Sequence, residues 1–144
     1  MAFIITTEAM KHNALLIAAI MLVLMGCNNE ERAIQRNAYK YSYAMANYDV
    51  DAAEPYATPE TGATTLKKAR YLVNAVGDEY ISSDTPASIE IVSVEQTSDT
   101  TAYAVYHKRT PIKNFSDTLP MRKRDGQWLA HIPMRTAPQP TAND

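Results

Sequence analysis

Few side chains in this sequence have a type and spacing that could carry chemistry, and the clearest pair is Glu90 and His107. Two runs rich in β-branched and aromatic residues, Ile89 to Glu95 and Thr101 to Arg109, flank the polar turn Thr97-Ser98-Asp99-Thr100. With Ser98 and Asp99 as a two-residue turn, Glu90 falls opposite His107, on one face with Val92, Val94, Tyr103 and Val105. A carboxylate holding an imidazole in a partly apolar setting is the arrangement of a general base. On a solvated face the same pair is an ordinary cross-strand contact, and a slip of one residue would send the two side chains to opposite faces. The tyrosines are the second unusual feature, nine against two phenylalanines. Tyr39, Tyr41, Tyr43 and Tyr48 all lie on or just after one helical segment; Tyr41 and Tyr48 are expected in the core with hydroxyls at its rim, Tyr39 and Tyr43 beside it. Such a rim can bind a ligand or a partner protein, or it can simply pack. Three histidines and one cysteine give no zinc spacing, and four scattered glycines give no phosphate loop, so neither a metal nor a cofactor is expected.

The one cysteine offers a different chemistry. Ala14 to Met25 is an unbroken apolar run with Lys11 and His12 ahead of it, which is the charge and length pattern of a signal-peptide core. A spanning helix needs about 20 apolar residues, and this run is too short for that. It ends in Leu24-Met25-Gly26-Cys27, which resembles the bacterial lipobox: an aliphatic residue three before the cysteine, a small one directly before it, then the thiol. The resemblance implies cleavage between Gly26 and Cys27 and attachment of lipid to Cys27, where the other reading is a buried or free thiol. A disulfide within the chain is impossible with a single cysteine. Acyl chains on Cys27 would make the membrane itself a partner and leave the folded part in water. Asn28, rather than aspartate, follows the cysteine, which favours the outer membrane, on its periplasmic face or at the cell surface.

The elements around these residues predict one domain. Residues 1–26 are expected to be the signal peptide, 27–135 a single α+β domain with a short tether, and 136–144, with Pro138 and Pro140 and nothing to bury, a disordered tail. A formal net charge of −2 argues against nucleic acid as the partner. The basic run Arg122-Lys123-Arg124 is expected at a solvated sheet edge. Ile34, Ala38, Tyr41, Met45 and Tyr48 recur at steps of four and three, a helix from roughly Glu30 to Asn47 with one face inward. Asp51 with Glu54 is expected to cap a short second helix ended by Pro55, and Thr58-Pro59 to open a third, interrupted at Gly62. Leu66, Ala69, Val73, Val76 and Tyr80 form the next apolar stripe. Beyond the two strands already named, Asp117 to Lys123 and Trp128 to Ile132 flank Asp125-Gly126, a two-residue hairpin turn. That turn pairs Lys123 with Trp128, Met121 with Ala130 and Leu119 with Ile132, and puts His131 and Arg122 on the opposite, wet side.

Three helices followed by a four-stranded antiparallel meander, the break Asn47-Tyr48-Asp49-Val50-Asp51-Ala52-Ala53, and the closing Leu119-Pro120-Met121-Arg122-Lys123-Arg124-Asp125-Gly126-Gln127-Trp128 resemble small lipoproteins of the nuclear transport factor 2-like superfamily. The resemblance spans roughly Glu30 to Arg135. It implies three N-terminal helices packed on a curved four-stranded sheet, with a conical pocket between them. The superfamily holds isomerases and cyclases as well as binding domains, so fold alone does not choose a function. The favoured expectation is a lipid-anchored envelope protein whose non-catalytic domain binds a small ligand or another envelope protein. The alternative is a pocket enzyme of the isomerase, cyclase or dehydratase kind using Glu90 and His107. Ligand, partner and oligomeric state are left open by the sequence. An enclosed cavity of roughly 300 Å³ or more with both side chains pointing into it would favour the enzyme.

Overall fold

The computed structural model describes residues 29–135, so the expectations for Gly26, Cys27 and the tail from Thr136 lie outside the described residues. Contacts divide the chain between Arg32 and Ala33; of the first unit only 29–32, the opening turn of a helix, are described, and the helices and sheet of the domain belong to the second unit.

Helix α1 covers 29–46. Its inward stripe is as spaced in the sequence: Ile34, Ala38 and Tyr41 are buried and Met45 packs against them. Tyr48 then takes a positive φ of 63°, which stops the helix. The short α2, Val50–Ala53, is capped by Asp49, whose carboxylate accepts from the Ala52 amide at 3.0 Å. Asp51, expected as the cap, instead pairs with Arg70 at 2.9 Å. A single tight turn, Glu54–Tyr56, carries Pro55, and Thr58 caps α3, Pro59–Thr61. Gly62 does not break the element. The helix widens by one residue per turn over Gly62–Leu66 and runs on as α4, Lys67–Val76, until Gly77 at φ 86° redirects it into α5, Asp78–Ser83. The apolar stripe therefore divides: Leu66 is buried and Ala69 and Val73 pack on the core, whereas Val76 and Tyr80 are exposed.

The sheet is an antiparallel meander in the order β1-β2-β3-β4: Ser88–Gln96, Thr101–Arg109, Asn114–Arg124 and Gln127–Ala130. Asp125 and Gly126 both have positive φ, 50° and 76°, as the expected two-residue turn requires, and Lys123 faces Trp128. β4 is shorter than its apolar run, and the reason is Pro120. The Pro120 carbonyl accepts from the His131 amide on the β4 side, but proline has no N–H to return, so the ladder ends at Ala130. The expected pairing of Ile132 with Leu119 does not form. The chain turns instead onto the helices: Ile132 donates to Thr61 Oγ1 at 2.9 Å, Met134 donates to Thr64 Oγ1 at 3.1 Å, and Thr65 Oγ1 donates to the Ile132 carbonyl. His131 is drawn in with it, Nδ1 lying 2.9 Å from Thr58 Oγ1, so it is not on a wet face. Nor is the basic run a sheet edge. β3 is paired on both sides, Arg122 facing Thr101, and Arg124 reaches Glu60 at 2.7 Å.

The core lies between α1, α2 and α4 on one side and the inner faces of the strands on the other. Ile34, Ala38, Val50, Ala53 and Leu66 meet Ala102, Ala104, Leu119, Met121, Trp128 and Ala130. Trp128 is the largest buried residue, and the Asn37 amide holds its carbonyl at 2.8 Å, tying α1 to β4.

Candidate functional site

The inner face of the sheet changes character along its length. At one end the paired residues are Ala102 with Met121 and Ala104 with Leu119, all buried. Two steps on, the pairs become Tyr106 with Asp117 and Lys108 with Phe115, which reach the surface. Side chains two apart in a strand share a face, so these four continue the core's own rows into a polar mouth. Opposite them α1 presents Tyr41, Ser42, Met45 and Ala46, and Thr65 and Ile132 close a further wall. The enclosed volume is about 260 Å³ and opens to solvent beside Phe115 and Asp117.

Two hydroxyls in this cleft are buried without a hydrogen-bond partner among the described residues, Tyr41 Oη and Ser42 Oγ. Both residues keep 5 % or less of their surface exposed. A buried hydroxyl left unpaired costs about 1–3 kcal/mol, so a cleft holding two of them favours a molecule that pairs them. Burial, and then the neighbouring Tyr106, push the Tyr41 hydroxyl up to about 12, so at neutral pH it is a proton-bearing donor and not a base. Burial and the nearby charge of Asp117 raise Tyr106 in the same way. Burial lowers the Lys108 ammonium, Lys113 adding to the effect and Asp84 opposing it. Among the described residues Lys108 meets the ring of Phe115, 5.7 Å from ammonium to centroid, and no carboxylate within ion-pair reach. The Asp117 carboxylate is exposed and accepts from the Thr118 amide at 2.7 Å. The cleft thus combines an apolar floor, two unsatisfied hydroxyls and an under-solvated cation.

Glu90 does pair with His107 in register, but by two compensating departures from the expected geometry. The turn is longer than two residues, with Gln96 facing Ala102, and a bulge at Val92 on β1 takes up the extra residue before Ile91 meets Tyr106. The bulge turns Val94 to the core side, where it packs on the buried cluster, and leaves Val92 half-exposed. Glu90, Tyr103 and His107 lie on the outer face, away from the cleft, with Glu90 exposed and the His107 ring bonded to Ser116 Oγ at 2.5 Å. Neither residue lines the cleft, and the partly apolar setting expected for a general base is absent from their surroundings.

The four tyrosines separate three ways. Tyr41 enters the cleft. Tyr39 and Tyr43 stack on each other in solvent, centroids 5.7 Å apart. Tyr48 is not a rim residue: its hydroxyl donates to the buried Asp84 at 2.6 Å. Asp84 also accepts from Thr110 Oγ1 at 2.7 Å and lies 3.2 Å from Lys113 Nζ, so one carboxylate joins the end of α1, the end of α5 and the β2–β3 loop. Burial would raise that carboxyl, and the three hydrogen bonds with the Lys113 charge outweigh it and hold the group at about 2. Ser42, Tyr106, Lys108 and Asp117 escaped the sequence reading. The signal that could have found them is the alternation Ala102, Ala104, Tyr106, Lys108. Among the described residues no group of three or more His, Cys, Asp or Glu side chains could hold a metal ion, and no described helix is long and apolar enough to cross a membrane.

No protein-family model and no curated protein matches the sequence. Solved structures do match the fold. A Campylobacter jejuni protein provisionally described as an NTF2-like transpeptidase superposes with a TM-score of 0.50 at 15 % identity, over 66 % of this chain and 94 % of its own. An NTF2-like protein of unknown function from Shewanella oneidensis gives 0.49 at 17 % identity, over 69 % and 95 %. At such identities the likeness speaks to architecture and not to activity. On the first of these superpositions and the order of helices then meander, the chain has the nuclear transport factor 2-like α+β fold.

Proposed function

We propose that this chain is a lipid-anchored protein of the cell envelope, held by acyl groups on Cys27, whose non-catalytic domain binds a small molecule in the cleft between α1 and the sheet. The observation that carries the binding part is the pair of buried, unpartnered hydroxyls of Tyr41 and Ser42 in an open cavity of about 260 Å³. That volume lies just under the usual range for small-molecule sites, roughly 300 to 1,000 Å³, and so suits a compact ligand. The anchoring part stands on the Leu24-Met25-Gly26-Cys27 pattern, and Asn28 directly after the cysteine supports an outer-membrane address. The acid–base alternative through Glu90 and His107 lacks a shared enclosed site: both lie on the outer face of the sheet, and the open hollow there is bordered by His107 without Glu90.

A thermal-shift screen of metabolite-sized compounds tests the cleft. A ligand present at a hundred times its Kd adds about 2.7 kcal/mol to stability. Hits should stabilise the native chain and leave Asp117→Trp, which plugs the mouth from the inner row of β3, unmoved; compounds acting equally on both, or none acting at all, would refute cleft binding. Incorporation of labelled fatty acid, lost in Cys27→Ser, tests the anchor separately.

A further inference from the structure

The cleft's polar groups are not evenly satisfied, and the imbalance has a sign. Its carboxylate, Asp117, stands in water and already accepts a backbone amide at 2.7 Å. Its cation, Lys108, is half-buried, feels the opposite charge of Asp84 and the like charge of Lys113 from a distance, and has an aromatic face rather than a carboxylate in contact among the described residues. A ring face compensates an ammonium by only about 0.5–2 kcal/mol, less than a desolvated ion pair demands. The two other unsatisfied groups, Tyr41 Oη and Ser42 Oγ, are hydroxyls able to donate. Three groups in one cleft therefore lack an acceptor among the described residues, while its one carboxylate is already solvated and hydrogen-bonded. The floor they surround is apolar, made by Met45, Leu119 and Ile132.

Resting on the cleft-binding proposal, we infer that the ligand is a small organic carboxylate, its apolar body against Met45 and Leu119 and its anionic group taken by Lys108, the covered hydroxyls of Tyr41 and Ser42 turning to it as it enters. A carboxylate offers two oxygens and about four lone-pair sites, enough for all three donors at once, where an alcohol or amide carbonyl serves fewer. A cation in the same place would meet Lys108 at close range and offer neither hydroxyl a lone pair. The volume, about 260 Å³, is the liquid share of about nine waters at roughly 30 Å³ each, which limits the body to one ring or a short chain.

The test compares benzoate, benzyl alcohol and benzylamine, three probes of one size, by saturation-transfer NMR on the full-length chain in lipid nanodiscs, with Asp117→Trp, a bulky side chain at the inner mouth, as the control that binding is in the cleft. Benzoate should bind at least ten-fold more tightly than the other two. Lys108→Met, which keeps the stem and removes the charge, should bring benzoate down to the level of the alcohol, while Lys108→Arg keeps the preference. Lys108 also borders a shallow outer hollow with His107 and Ser116, so signal that survives Asp117→Trp would count against the assignment. Equal binding of acid and alcohol overturns the carboxylate and leaves the cleft reading standing. Silence from all three probes overturns both.

Discussion

Asp84 offers the most direct measurement of what holds the helical and sheet halves of the domain together. It has no accessible surface yet lies under thin cover, and it gathers Tyr48 from the end of α1 and Thr110 and Lys113 from the β2–β3 loop. Its carboxyl is held at about 2 against an ordinary 3.8. A depressed folded value means that the ionised form is favoured by the fold, so the stabilisation is present above pH 4 and is lost as pH falls toward 2. The shift corresponds to about 2 kcal/mol at neutral pH and about 1 kcal/mol remaining at pH 3. Asp84→Asn keeps the shape and removes the charge. At pH 7 it should melt about 10 °C below the native chain, at roughly 4–6 °C per kcal/mol for a domain of this size. The informative quantity is the gap between the two melting curves as a function of pH, followed by circular dichroism from pH 7 to pH 2.5. Other carboxylates titrate in both proteins and cancel in the difference. The gap should narrow steadily below pH 4, because protonation of the native Asp84 deletes the same charge the substitution does. Two parallel curves, with a gap that ignores pH, would refute the claim that ionised Asp84 stabilises the fold.

Three further substitutions separate the site from the scaffold. Tyr41→Phe removes a buried hydroxyl that has no partner, so the ligand-free chain should gain about 1 kcal/mol in chemical denaturation while the affinity for benzoate falls. A loss of stability instead would mean that the hydroxyl is already satisfied. Trp128→Ala, at a position 1 % exposed, should cost about 3–5 kcal/mol and abolish a cooperative thermal transition if the domain has ordinary stability. Gly126→Ala meets nothing within 4 Å but must hold a φ of 76°, so its cost of about 1–2 kcal/mol is backbone strain alone, visible as a drop in melting temperature with unchanged probe binding.

Much of this fold was legible because the signals were local. The 3–4 spacing of Ile34, Ala38, Tyr41 and Met45 described α1, Thr58-Pro59 marked a helix start, and Asp125-Gly126 marked the last turn with its register. The errors came where a tertiary contact overrode the local pattern. Asp49, Asp51 and Glu54 all suit a helix start, and only the position of Arg70, far along the chain, diverts Asp51 and Glu54 from that duty. The strand from Trp128 looked long enough to include Ile132, but Pro120 across the ladder and Thr61 on α3 end it. The inner face of β2 was the larger miss. In Thr101-Ala102-Tyr103-Ala104-Val105-Tyr106-His107-Lys108, hydrophobicity favours Tyr103 and Val105 as the core side, yet the alanines are the buried ones. Space between the sheet and the helices excludes bulk there, and a one-dimensional pattern does not report that spacing. Reading β2 by size would have put Tyr106 and Lys108 beside Tyr41, and so drawn the cleft.

That same crowding explains how a small domain can keep an open cleft at all. A void of 260 Å³ made by truncation in a sealed apolar core would cost about 6 kcal/mol at 24 cal/mol per Å³, as much as the whole stability of many domains. Here the bulky residues, Trp128, Met121, Ile34 and Leu66, are buried in the main core, and Ala46 and Ser42 stand where large side chains would fill the gap. Apolar lining alone would make that gap collapse or aggregate, whereas Lys108 and Asp117 let water into its mouth and remove most of the penalty. What water does not reach are the two hydroxyls of Tyr41 and Ser42 behind the mouth. Replacing Ser42 by a valine would fill part of the space and remove a buried unpaired group in a single step, a gain on both counts. A cleft that forgoes so accessible a stabilisation is better explained by a molecule that enters it than by packing.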